Sequence, residues 1–142
     1  MSGLAIAPAT QSEAEEVVAL WERAGVTRPW NNPHTDYHLA LAAPSSAVLL
    51  GREGGALVAA VMVGFDGHRG WVYYLAVEPA RRREGHGRAM MEAAEGWLKA
   101  RGSPKMQLMV RSDNETAFGF YARLGLKRQA VTVLGKRLDN LR

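Results

Sequence analysis

Leu75-Ala76-Val77-Glu78-Pro79-Ala80-Arg81-Arg82-Arg83-Glu84-Gly85-His86-Gly87-Arg88 joins the end of an apolar run to a basic, glycine-containing turn and then to a helical pattern. The first turn of a helix leaves backbone N–H groups unpaired and carries the positive end of its dipole, so this junction can hold a phosphate. Gly85 and Gly87 let the main chain approach a ligand with no Cβ in the way. Arg81, Arg82, Arg83 and Arg88 against Glu84 add a local charge of +3. The same residues also suit an ordinary strand–turn–helix with solvated arginines, so the segment alone does not decide a function.

Working outward, Gly70–Val77 reads Trp-Val-Tyr-Tyr-Leu-Ala-Val after its glycine, nearly apolar throughout. Such a run predicts a central strand covered on both faces, stopped by Pro79. Upstream, Ala47–Arg52 and Ala56–Phe65 read as strands joined by the hairpin signal Glu53-Gly54-Gly55, and Asp66-Gly67 begins the next turn. Leu4, Ile6 and Pro8 predict a short first strand. Thr10 and Glu13 are spaced as a capping box for a helix with Val17, Leu20, Trp21 and Ala24 on one face, ended by Gly25. The stretch from Arg28 to Pro33 is expected to be irregular, and a helix from Thr35 to Ala42 to follow. Downstream, the spacing predicts a helix over Arg88–Arg101, a strand over Lys105–Val110 and a helix over Asn114–Leu124. The tail from Leu126 to Leu138 reads as one or two strands broken near Gly135. The order describes one α/β domain over residues 1–142 around a mixed sheet.

The 142 residues contain no cysteine, which excludes disulfides, thiolate metal sites and a cysteine nucleophile. Eighteen basic against 14 acidic residues give a net charge of +4, a mildly basic balance that suits nucleic acid, an anionic cofactor or no particular ligand. No apolar run approaches the roughly 20 residues of a membrane span. The start lacks a basic region before an apolar one, as a secretory leader would have. A cytoplasmic protein is expected.

Two motifs carry a resemblance. Arg82-x-x-Gly85-x-Gly87 resembles the Q/R-x-x-G-x-G/A pyrophosphate loop of the GNAT superfamily of N-acetyltransferases. Asn114-x-x-Ala117-x-x-Phe120-Tyr121-x-x-Leu124-Gly125-Leu126 resembles its second motif, N-x-x-A-x-x-F-Y-x-x-x-G-F. The separation of the motifs and the order of elements from Leu4 to Leu138 also fit. The stretches Leu20–Arg23, Arg28–Asn31, Asp66–Gly70, Tyr73–Leu75 and Leu134–Leu138 are similar to the bacterial YpeA-type, RimI-like branch. Arg83 departs from the pattern where glycine is common, and His86 where a small aliphatic residue is common.

The resemblance implies a GNAT-like α/β fold, a single mixed and mostly antiparallel sheet flanked by about four helices. It implies an acyltransferase with acetyl-CoA as donor and an amine as acceptor. Arg82, Arg83, Gly85, His86, Gly87 and Arg88 would then hold the pyrophosphate, chiefly through N–H groups. Leu75, Ala76 and Val77 would pair with the pantetheine arm like an added strand. Asn114 and Phe120 would flank the cofactor, and Tyr121 would protonate the departing thiolate. Helical spacing equally allows Tyr121 to be a core aromatic beside Phe120. Trp30, Asn31 and Tyr73 are the acceptor-side candidates. No general base is assigned, since Glu78, Asp66 and Asp113 all read as loop charges. His34, His38 and His68 show no ligand spacing, so no metal is expected. The arginines gather at one helix start and do not interleave with aromatics over a face, which argues against nucleic acid. No membrane partner is expected. A non-catalytic acyl-CoA sensor of the same fold is the alternative, and the chain could be a monomer or a homodimer.

Overall fold

The computed structural model describes residues 3–139. It divides into two compact units, Met1–Leu108 and Met109–Arg142. The first unit holds strands β1 (Ala5–Pro8), β2 (Ser46–Glu53), β3 (Ala56–Phe65), β4 (Gly70–Val77) and β5 (Met106–Leu108), with helices α1 (Ala14–Arg23), α2 (Pro33–Ala42) and α3 (His86–Ala100). The sheet order is β1-β2-β3-β4-β5. The first three pairings are antiparallel, and β4 pairs with β5 in parallel. The sheet is therefore mixed and mostly antiparallel, as the resemblance implies.

One face of the sheet is closed by α1 and α2. Val17, Val18, Leu20, Trp21, Tyr37 and Ala40 pack there with Val48 and Leu50 of β2, Ala60 of β3 and Ala76 of β4. The opposite face takes α3, and two glycines set how closely it approaches. A Cβ on Gly70 would come within 2.6 Å of Leu98, and one on Gly51 within 3.0 Å of the Met90 sulfur. The middle of the sheet is β3, whose Ala59, Ala60, Val61 and Val63 are wholly buried. β4 was expected to be central; it lies one place further out, with Tyr73 exposed.

Capping explains where the helices begin. The Thr10 N–H donates to Glu13 Oε1 at 2.9 Å, and a 3₁₀ turn over Gln11–Glu13 leads into α1. α2 begins at Pro33, two residues before the expected start. Asn32 accepts from the Thr35 N–H at 3.1 Å and Pro33 occupies the first turn, so residues that read as loop punctuation are a helix cap and its proline. α3 likewise begins at His86 and not at Arg88.

The second unit contains α4 (Glu115–Arg123), capped by Asn114, whose Oδ1 accepts from the Ala117 N–H at 3.1 Å. The strands expected between Leu126 and Leu138 are absent among the described residues. Val131, Val133, Leu134 and Leu138 are exposed. Alternation of apolar residues makes a strand only where a neighbour supplies the ladder, and none among the described residues pairs with this segment.

Candidate active site

β4 carries the irregularity that shapes the site. Its ladder pairs Ala76 with Ala60 and Tyr73 with Met62, so three steps on β4 oppose two on β3. The extra residue makes a bulge, and within it Tyr74 holds φ +54°, where residues with a Cβ are rarely found. The bulge also reverses the faces. Gly70 lies against α3, whereas Ala76, of the same parity, belongs to the α1–α2 core; an unbroken strand would keep both on one side. Tyr74 is fastened on that core side. Its ring stacks on Trp21 at 3.9 Å and 10°, and its hydroxyl donates to Asp36 Oδ2 at 2.7 Å. Burial, with the Asp36 hydrogen bond, pushes the Tyr74 phenol well above its usual range.

β5 pairs only with Gly70–Val72. Beyond Val72, no strand among the described residues pairs with the outer edge of β4. On the inner edge, the Glu78 N–H donates to the Val58 carbonyl at 2.8 Å. Successive N–H groups of an extended chain point to opposite edges, so the Val77 N–H faces the open side. Leu75, Ala76 and Val77 thus border an edge that can accept an extended ligand.

The chain then passes Glu78 and a 3₁₀ turn at Pro79–Arg81 into the basic loop. Arg83 holds φ +67° and Gly85 φ +86°, and no side chain caps α3. The first helical N–H to be used is that of Ala89, which donates to the Gly85 carbonyl at 3.0 Å. The amides of His86, Gly87 and Arg88 therefore have no partner inside the helix, and Gly85 and Gly87 leave the approach clear.

The side chains of this loop are committed differently from the sequence expectation. Arg82 donates to the Ala24 carbonyl at 3.3 Å, favourably placed against the negative end of α1. Arg81 binds Glu84 at 2.8 Å and also Glu53, from the end of β2. The Arg81 hydrogen bond holds the Glu84 carboxyl below its usual 4.5. Arg88 pairs with Glu92 at 3.5 Å. The local positive charge is thus partly neutralised, by Glu84 and Glu92 nearby in the chain and by Glu53, which sequence proximity does not reveal. His86 is buried, with Nε2 at 3.2 Å from Glu84 Oε1 and Nδ1 without a partner. Ligand atoms of Glu53, Glu84 and His86 all lie within 4.8 Å of one another, a grouping that sequence spacing did not show. Arg81 already occupies both carboxylates, and its charge opposes a second cation there.

Two acids considered as bases are otherwise engaged. Glu78 accepts from Arg23 at 2.7 and 3.0 Å. Asp66 accepts the N–H groups of Arg69 and His68 at 2.7 and 2.8 Å, which hold its carboxyl below 3.8. Trp30 and Asn31 lie between α1 and α2, with the Asn31 N–H bonded to the Arg28 carbonyl at 3.1 Å. Trp30 and Tyr73 are 47% and 41% exposed, as acceptor-side residues would need to be. In the second unit, Tyr121 meets Phe120 edge-to-face at 5.0 Å. Burial pushes the Tyr121 phenol above its usual 10.0. Arg128 lies over the Phe118 ring at 3.7 Å, a contact the sequence reading missed.

A mixed sheet with an open strand edge, delivered into an uncapped helix start, is the framework of an acyl-transferring α/β enzyme. The acetyltransferase (GNAT) family model matches residues 13–126; the chain belongs to this family and is an acyltransferase. An acetyltransferase of Yersinia enterocolitica is 44% identical over 128 residues, covering 90% of this chain and 91% of its own. Among solved structures, the aminoglycoside N-acetyltransferase AAC(6')-Iy, bound to a CoA-containing bisubstrate analogue, has a TM-score of 0.80 at 16% identity over 95% of this chain and 99% of its own. The ribosomal-protein-S18-alanine N-acetyltransferase of Escherichia coli has a TM-score of 0.75 at 22% identity over 86% of this chain and 76% of its own. These two likenesses are of fold. No helix among the described residues is long and apolar enough to cross a membrane.

Proposed function

We propose that the protein transfers an acetyl group from acetyl-CoA to a primary amine by direct attack on the thioester. The observation that carries this reading is the continuity between the open edge of β4 and the uncapped start of α3. One offers backbone pairing to the pantetheine arm through Leu75, Ala76 and Val77. The other offers the amides of Arg83, Gly85, His86, Gly87 and Arg88 to a diphosphate, while the Arg82 guanidinium stays on the Ala24 carbonyl. The CoA-containing ligand in the AAC(6')-Iy structure supports the same donor.

The Val77 N–H, on the open edge, is the donor available to the oxyanion that develops at the acyl carbon. A preorganised donor of this kind contributes about 3 kcal/mol to the transition state. Asn114 caps α4 with its oxygen, which leaves its Nδ2 group to donate to the ligand arm, and Phe120 lines it. Tyr121 is the general acid for the leaving thiolate, since a phenol carries its proton at neutral pH. Trp30, Asn31 and Tyr73 would border the acceptor. The family match runs across both units, which supports one acetyltransferase domain, and the sequence stretches quoted above favour the YpeA-type, RimI-like branch.

A free-CoA release assay over small amines and N-terminal peptides tests the reading, with mass spectrometry of the product. Tyr121→Phe is expected to lower kcat by on the order of 10²-fold while retaining CoA affinity. CoA binding with no acetylated product from any amine would favour a sensor. Unchanged turnover in the variant would remove Tyr121 from the mechanism.

A further inference from the structure

The loop before α3 contains an arrangement that the acetyl-transfer reading does not use. Its backbone takes left-handed conformations at Arg83 and Gly85, φ +67° and +86°. A non-glycine residue persists there only when its surroundings over-determine it. Glu84 lies between these two positions. Its carboxylate accepts from Arg81 at 2.8 and 3.0 Å and meets the buried His86 Nε2 at 3.2 Å. One side chain thus ties the residue three before it to the residue two after it. Arg81 is braced in turn by Glu53 of β2, which anchors the loop to the sheet. His86 Nδ1 is buried without a partner, so Nε2 carries the hydrogen that Glu84 accepts; an N–H at Nδ1 would be an unsatisfied buried donor.

We infer that Glu84 is a positioning residue: its carboxylate, braced by Arg81 and Glu53 and bonded to His86, sets the shape of the turn that receives the diphosphate. The inference rests on the acetyl-CoA reading above and deepens it. In that reading Glu84 serves the diphosphate turn and has no part in the acyl step or in holding the acceptor. Its influence therefore falls on ligands that have a diphosphate and spares those that lack one.

The test compares acetyl-CoA with S-acetylpantetheine, which has the thioester arm but no diphosphate. Glu84→Ala is expected to raise the KM for acetyl-CoA and the Kd for CoA about tenfold, the scale of one lost hydrogen bond to a charged group. kcat and the KM for S-acetylpantetheine are expected to stay as in the unaltered protein. Glu84→Gln retains an accepting oxygen and should restore most of the CoA affinity. His86→Leu drops the same bond but buries no orphaned nitrogen, so CoA affinity should fall while Tm stays level or rises. If Glu84→Ala fails to fold, Glu53→Gln carries the test, with a smaller rise in the same direction. Equal losses with both thioesters, or CoA affinity unchanged in every variant, would overturn the inference while leaving acetyl transfer standing. An unaltered protein that gives no heat with CoA would overturn both.

Discussion

Arg83 shows how one residue type can oppose the backbone beneath it. At φ +67° a side chain costs about 1–2 kcal/mol relative to the right-handed region, and glycine avoids that cost at some loss of unfolded-state entropy. Arg83→Gly is therefore expected to raise stability by about 0.5–1 kcal/mol, seen as a higher urea midpoint. Arg83→Ala, which removes the charge but keeps the Cβ, should show no such gain. Equal midpoints for both variants would mean that the loop relaxes around either residue. The sequence already marked Arg83 as a departure from a glycine-bearing motif, and the structure supplies the reason glycine suits that place. His86 was marked too, but not its bond to Glu84 or its burial, which depend on how Arg81 and Glu53 meet across the sheet.

At the scale of the element, β4 is where sequence patterning reached its limit. Period-two and helical spacing placed all five strands and four helices to within a few residues. A bulge, however, leaves Trp-Val-Tyr-Tyr-Leu-Ala-Val as apolar as a regular strand, so nothing local announces it. It is visible only through its supports, Trp21 from α1 and Asp36 from α2, which lie more than thirty residues upstream. Tyr74→Phe keeps the stack but leaves the Asp36 carboxylate without its donor, at a cost of about 1–2 kcal/mol in chemical denaturation. Adding Asp36→Asn should recover part of that loss. A Tyr74→Phe variant as stable as the parent would show that stacking alone holds the bulge. The tail failed for the opposite reason, since its alternation is clear but no strand among the described residues completes it.

Across the whole molecule, several carboxylates are more acidic folded than unfolded. The Thr10 N–H and Arg52 hold Glu13 below 4.5; Arg81 does the same for Glu84 and the Arg69 and His68 amides for Asp66. An unfolded chain takes up these protons first, so their contribution is complete above the ordinary carboxylate range and disappears as pH falls through the lower folded values. Tm should be level above about pH 5.5 and decline below about pH 4.5, and Glu13→Gln should make that decline shallower. A variant with the parent's full acid slope would assign the loss to other groups. The half-paired outer side of β4, proposed above to take the thioester arm, also bears on self-association. Main-chain groups left without a ladder attract any extended polypeptide that can complete one, so donor-starved protein is the form inclined to stick to itself, and saturating thioester should act as a solubility factor.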